Sequence, residues 1–359
     1  MLQASGLGAV RHALGRRVDH DKQAVAVCVT GSAARLQPRS LFLNVLQHNS
    51  DYCWDVIFVL AGGELRYSTA AHLTYMPSPF ARHNSSRAMR LALESATRDL
   101  PDSIRLHVLD LVKDLVADEI DARLGGPLDR IREVVGEIQR QRRVLNMYNH
   151  QQLCAVAIED LEMRQGHAFD WVVSTREDAY FMAPLNLTTL LARRTSCDII
   201  TKGCLAWGGL NMRFQLLPRR AGVRWLSSRF SFYHYLQSTN RSESNPESFE
   251  QAQARWLGLN SAPRCRASAT ELPVAVARHT YDGAFCIMGL ELLEARCIAC
   301  FQPSSSCRDI SVEHCLHCFP THTSFDREEF VRQHLCRDLG GVESHSRVRV
   351  DRKSVELAR

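Results

Sequence analysis

The stretch Asp170-Trp171-Val172-Val173-Ser174-Thr175-Arg176-Glu177-Asp178-Ala179-Tyr180-Phe181 sets an uncharged run directly before an arginine and two acids. Such a run, bounded by turn signals, has the form of a strand buried in an α/β sheet. Open α/β sheets take their ligands just beyond the carboxyl ends of such strands. Arg176, Glu177 and Asp178 at that edge could hold a phosphate and a divalent cation; in the plainer reading the two acids cap the next turn. A second candidate is Thr30-Gly31-Ser32-Ala33-Ala34-Arg35, which follows the β-branched run Ala24 to Val29. Glycine and small residues after a strand let backbone N–H groups approach a diphosphate, and Arg35 could clamp an oxygen with paired donors. The segment lacks the Gly-Lys-Ser/Thr of a P-loop and is not a full dinucleotide fingerprint, so an ordinary strand-to-helix turn stands beside that reading.

The elements that must position these residues read as an α/β pattern. Ala24–Thr30 is a short buried strand, a helix runs from about Arg39 to Gln47, and Trp54–Leu60 is a second strand, which together make a βαβ unit. Residues 66 to 100, broken by Pro77 and Pro79, read mostly as loop. Ile104–Leu109 is a third strand. Leu128, Ile131, Val134, Val135 and Ile138 recur at helical spacing after Gly125-Gly126-Pro127, and a further helix covers about Leu145 to Arg164 and stops at Gly166. After the strand at 171, Cys197–Thr201 is another strand. Arg219–Leu236 carries Val223, Leu226, Phe230 and Tyr233 on one helical face, Phe249–Leu257 is a short helix and Leu272–Ala277 a strand. The chain divides into an N-terminal tail (1–23), a main α/β domain (24–290), a cysteine-rich module (291–337) and a charged, disordered tail (338–359).

Composition bounds the function. The chain has 359 residues, 45% hydrophobic and 23% charged, which is ordinary for a globular protein that buries a large core. The net charge of +5 is mild and carried almost wholly by arginine, and no dense basic stripe with interleaved aromatics occurs, so nucleic acid is not an expected partner. No window is apolar for long enough to span a bilayer. Residues 1 to 17 hold Arg11, His12, Arg16 and Arg17 without an acid, which suits a frayed tail better than a targeting peptide. The 13 cysteines, with sequons at Asn84, Asn186 and Asn240, lean toward an oxidising compartment; the lack of a signal or anchor leans toward the cytoplasm.

Taken in order, four segments resemble nucleotide-sugar-dependent glycosyltransferases of the GT-A fold. Val25 to Arg35 looks like the first strand and its loop. Trp54-Asp55-Val56-Ile57-Phe58-Val59 looks like the second unit, and Phe169 to Phe181 like a strand bearing an Arg-x-Asp variant of the metal-binding Asp-x-Asp motif. Trp207 to Phe214, with the helix that follows, looks like a wall shared by donor and acceptor. The resemblance covers roughly 24 to 290 and implies a GT-A-like, Rossmann-type sheet flanked by helices, with a cysteine-rich extension. It further implies transfer of a sugar from a nucleoside-diphosphate sugar to a hydroxyl of a glycan, protein or lipid, in the Golgi or another secretory lumen.

By that resemblance Thr30, Gly31, Arg35, Asp55, Arg176 and Asp178 bind the nucleotide sugar, while Trp207, Gly208, Gly209 and Asn211 contact sugar or acceptor. Glu247, after a loop and at a helix start, is the acid that would deprotonate the acceptor, or else a charge that complements the helix dipole. Trp207 would stack on a sugar face, or lie in the core. The family motif has two acids where this chain has Arg176 and Asp178. Either Asp178 holds Mn²⁺ or Mg²⁺ with diphosphate and water, the favoured reading, or Arg176 and Arg35 neutralise the diphosphate themselves.

The C-terminal module carries Cys297-Ile298-Ala299-Cys300 and Cys315-Leu316-His317-Cys318. This spacing is close to that of a zinc ribbon, and Cys297, Cys300, Cys315 and Cys318 could hold a structural Zn²⁺; the six cysteines beyond 296 fit three disulfides equally well. Zinc would suit the rival function, a non-catalytic α/β binding or scaffold protein.

Overall fold

The computed structural model describes residues 22–62, 75–76, 80, 83, 85–98, 100–101, 103–109, 111–112, 119, 130–131, 138–203, 209–268, 271–280, 285–288 and 298–301. The framework is a seven-stranded sheet in the order β4-β2-β1-β5-β8-β7-β9. Its strands are β1 (Ala24–Ser32), β2 (Cys53–Ala61), β4 (Ile104–Val108), β5 (Trp171–Arg176), β7 (Ile200–Lys202), β8 (Phe214–Pro218) and β9 (Arg266–Ala267). The β1–β2, β1–β5 and β2–β4 pairs are parallel, and β8 runs antiparallel to both neighbours. The largely apolar runs of β1 and β2, whose single charge is Asp55, are buried on both faces, as strands inside a covered parallel sheet must be. This is the α/β sheet flanked by helices that the sequence leads one to expect.

The alternation of β1 sorts the two cores. Val25, Val27 and Val29 face one layer with Phe42, Phe58 and Phe181; Ala24, Ala26 and Cys28 face the other with Ile158, Trp225 and Leu226. On the first face lie α1 (Pro38–Leu41), which continues as a π-helical turn Phe42–Gln47, and α2 (Ser86–Ala96). On the second lie α3 (Ile138–Gln165) and α5 (Arg219–Ser227); α4 is Leu187–Ala192. A third cluster joins the first half of α3 to α6 (Arg229–Ser238) and α7 (Pro246–Trp256) through Tyr148, Phe232, Tyr233 and Phe249. A smaller sheet runs β12-β11-β10-β3, with β6 on β10; these strands are β3 (Tyr75–Met76), β6 (Ala179–Phe181), β10 (Val274–Thr280), β11 (Phe285–Met288) and β12 (Ile298–Phe301).

Several expectations need correction. Within 66–100 the structure has the helix α2, capped by the Ser85 side chain on the Ala88 N–H. Its buried stripe is only Met89 and Leu93, too narrow to announce a helix in the sequence. Arg219–Leu236 is two helices, because the chain breaks at Ser228 and turns Arg229 into the core. Of the residues read at helical spacing over 128–138, Ile138 begins α3 and Ile131 forms a parallel bridge with Glu243; Leu128, Val134 and Val135 lie outside the described residues. Within the segment read as a cysteine-rich module, β12 pairs with β11 and sets Cys300 opposite Cys286 in register. Cys297, Cys315, Cys318 and the two tails lie outside the described residues.

Two disulfides join described elements: Cys28 to Cys154, from β1 to α3, and Cys197 to Cys265. Among the described residues no helix is long and apolar enough to cross a membrane.

Candidate functional site

The parallel strands β1 and β5 end side by side, with Thr30 in register with Arg176. The chain leaving β5 turns so that the Glu177 N–H donates to the Thr30 carbonyl at 3.1 Å, while the Gln37 N–H donates to the Glu177 carbonyl at 2.8 Å. The two loops are thereby laced together by backbone. Gly31 sits at φ +143°, and a Cβ there would overlap the Glu177 carboxylate. Glycine is required twice over, for its conformation and for the close approach. Ser32 then caps the short turn Ala33–Arg35 by accepting from the Ala34 N–H.

On this scaffold lie four charges. Arg176 donates to Asp178 in a fork, Nε to Oδ1 at 3.0 Å and Nη2 to Oδ2 at 2.8 Å. Arg35 pairs with Glu177, and its Nη1 lies 3.8 Å from Asp178 Oδ2. The carboxylates are buried, at 1% and 0% exposure, whereas the guanidinium side chains keep 21% and 22%. The arginines are therefore the groups that solvent or a ligand meets first. Burial works against the Arg176 charge, but Asp178 and Glu177 outweigh it and hold its pKa well above the usual arginine value, with Glu247 adding to the effect.

Glu247 reaches this edge from α7. The helix starts with a capping box in which the Asn245 side chain accepts from the Ser248 N–H and the Ser248 hydroxyl accepts from the Asn245 N–H. That fixes Glu247 in the first turn. Its carbonyl accepts from the Leu210 N–H at 3.1 Å, and a Cβ on Gly209 would overlap that same backbone. Gly209 is thus where the segment before β8 presses onto α7. The side chain of Asn211 is turned to a local role: its Oδ1 accepts from the Arg213 N–H at 2.8 Å, and it is fully buried. Trp207 and Gly208 lie outside the described residues.

Of the sequence candidates, the structure gathers Thr30, Gly31, Arg35, Arg176 and Asp178 at one edge and brings Glu247 and Gly209 toward it. It does not bring Asp55. In register with Ala26 on β1, Asp55 lies four residues short of the Thr30 level, roughly 13 Å along the strand. There it is fully buried, pairs with Arg105 of β4, and lies 2.6 Å from His107 Nε2. Burial alone would raise its pKa, but His107 and Arg105 together lower it.

Two features escaped the sequence reading. Glu177 is the direct partner of Arg35. His150, on α3, is 2% exposed, and neither ring nitrogen has a hydrogen-bond partner among the described residues. Burial pushes its pKa down to about 4, with the nearby Arg35 charge acting in the same direction. The signal available was its place one helical turn before Cys154, but no reading of the sequence paired Cys154 with Cys28.

Behind the edge lies a fully buried polar network. Arg229 pairs with Glu250 at 2.7 Å, donates from Nε to Gln151 at 2.8 Å, and stacks over Trp225 at 4.1 Å. Burial lifts the Glu250 pKa to about 7 against the pull of Arg229 and Gln215.

The donor set at Asp178 does not suit a divalent cation as it stands. Both its oxygens accept from Arg176, and Glu177 is engaged by Arg35. A hard cation seeks several free oxygens and would here approach two guanidinium charges. The described residues hold no group of three or more His, Cys, Asp or Glu side chains placed to take a metal.

What the fold and edge define is an α/β protein with paired arginines at the carboxyl ends of its central strands. The chain belongs to the family described as Domain of unknown function (DUF7796), whose model matches residues 137–339. No curated protein matches it. Among solved structures it is similar to the apo form of mouse xyloside xylosyltransferase 1, with a TM-score of 0.37 and 11% identity over 70% of this chain and 86% of that one.

Proposed function

We propose that this protein is a glycosyltransferase that takes its sugar from a nucleoside-diphosphate donor. The observation that carries the reading is the meeting of Arg35 and Asp178, 3.8 Å apart, beside Gly31 and Arg176 at the carboxyl edge of β1 and β5. In this reading Arg35 and Arg176 turn their exposed sides to the diphosphate, and Asp178 and Glu177 hold the two forks in place. As the bond from the anomeric carbon to the diphosphate breaks, the guanidinium groups offset the charge growing on the leaving phosphate. Glu247, in the first turn of α7, accepts the proton of the acceptor hydroxyl in an inverting reaction. Because the Asp178 oxygens are already engaged, charge neutralisation by arginine is preferred here to Mn²⁺ or Mg²⁺. The two disulfides fit folding in an oxidising lumen.

The test is a thermal-shift and donor-hydrolysis screen of UDP- and GDP-sugars, with and without Mn²⁺, on wild type, Arg35→Ala and Asp178→Ala. A ligand that binds only the folded state must raise its stability. A metal-independent shift in wild type that both variants lose supports the reading. A shift that requires Mn²⁺ restores the metal at Asp178. The absence of any donor shift, or equal shifts in all three proteins, removes the proposed site.

A further inference from the structure

The Cys28–Cys154 disulfide fixes the height of α3 against β1. Thr30 follows Cys28 by two residues on the same face of the strand, about 7 Å nearer the carboxyl edge. His150 precedes Cys154 by four residues on the same face of the helix, about 6 Å along its axis. The helix returns to the far edge of the sheet, since after Gly166 the Asp170 N–H bonds the Ala24 carbonyl and β5 begins there. Its first half therefore lies toward the edge where Thr30 and Arg35 are, and His150 comes over Thr30. Neighbouring positions on α3 are committed to other tasks: Gln151 accepts from Arg229, and Tyr148 stacks on Phe249 at 5.1 Å.

Among the described residues, His150 is 2% exposed and neither of its ring nitrogens has a hydrogen-bond partner. Buried polar groups of this kind are rare because each unmade hydrogen bond costs the group its hydration. The charge that acts on it is Arg35, whose side chain is one-fifth exposed.

We infer that His150 is a ligand-binding residue of this cleft: its imidazole, held over Thr30 by the Cys28–Cys154 disulfide, exchanges hydrogen bonds with a nucleoside diphosphate once Arg35 swings from Glu177 onto the phosphates. The inference rests on the donor reading given above. A neutral imidazole offers one donor and one acceptor, so it serves a phosphate oxygen or a ribose hydroxyl without adding charge beside Arg35. The orphaned nitrogens of the free protein are then unmade bonds that the ligand completes.

The full-length, disulfide-bonded protein tests this with UDP and GDP as probes, titrated by calorimetry into wild type, His150→Leu and His150→Gln. His150→Leu should weaken UDP or GDP about 3- to 10-fold, the worth of one hydrogen bond. His150→Gln, which keeps a donor and an acceptor, should recover part of that loss. The free His150→Leu protein should melt no lower than wild type, because the change removes orphaned polar atoms. Equal affinities in all three proteins, or a lower melting temperature with affinity unchanged, would make His150 a structural residue and leave the donor reading intact. If wild type binds neither nucleotide, the donor reading fails and this inference with it. Should His150→Leu not fold, ¹⁵N-imidazole NMR of wild type decides: the His150 resonance must move when UDP or GDP is added, and a static resonance at saturation overturns the inference.

Discussion

Asp55 and Asp178 are two carboxylates on one sheet, both fully buried and both paired with a partly exposed arginine. Their surroundings differ in one respect. Asp55 lies inside the ladder, where the register places Arg105 opposite it and His107 two residues further along β4, so its partners come from the neighbouring strand. Asp178 lies past the end of β5, where the strand has given way to a turn and the second arginine comes from another loop. The same pair of residue types is a strut in the first place and, in the function proposed above, a receptor for ligand in the second. Charge chemistry alone does not mark a site; its position relative to the strand ends does.

Breaking each cluster separates the two roles. Asp55→Ala should lose about 3 kcal/mol of stability in urea denaturation, as expected when a buried pair loses one partner, with UDP affinity unchanged. Gly31→Ala should cost about 1–3 kcal/mol because the new Cβ needs both an unfavourable φ and the space of the Glu177 carboxylate. It should also weaken UDP, because Glu177 and Arg35 must shift. Arg35→Ala should change stability little, its side chain being partly exposed, yet reduce UDP affinity about tenfold or more in the same calorimetric assay. If Arg35→Ala and Asp55→Ala behave alike in both assays, the contrast between strut and receptor is lost.

The smallest effect is on pH. The His150 pKa lies near 4 in the folded protein against an ordinary 6.5. Between those values the unfolded chain binds more protons, so stability falls as pH drops from about 6.5 to about 4. Glu250 lies near 7 against an ordinary 4.5. There the folded chain binds more protons, so stability falls as pH rises from about 4.5 to about 7. The two slopes oppose each other and flatten the wild-type profile. Chemical denaturation from pH 4 to 7.5 should show His150→Leu losing the acid-side fall and Glu250→Gln losing the other.

Much of this was legible in the residues. The uncharged runs Ala24–Val29 and Trp171–Thr175 declared buried strands, and the charge that follows each declared an edge. The Asn245-Pro246-Glu247-Ser248 sequence declared a helix start. What stayed hidden depends on contacts distant in the chain. Asp55 looked like a ligand residue because nothing local shows that Arg105 and His107 will lie beside it. The fork from Arg176 to Asp178 stayed hidden because it depends on how the turn folds back. That the Asn211 side chain accepts from the Arg213 N–H was hidden in the same way. The helix α2 has two buried residues in a polar run, so its periodicity is faint until β4 is there to receive them. The pairing of Cys28 with Cys154, 126 residues apart, lies beyond any spacing rule.

That pairing also makes the chain a loop with a tail. The covalent ring from 28 to 154 contains β2, β4, α1, α2 and the Thr30–Arg35 segment; Arg176 and Asp178 lie in the open stretch after it, and Glu247 lies in the second ring, closed by Cys197 and Cys265. A single backbone cut anywhere in the ring leaves every strand attached to every other, so a nicked molecule can keep its cleft assembled and fall into two pieces only when the disulfide is reduced.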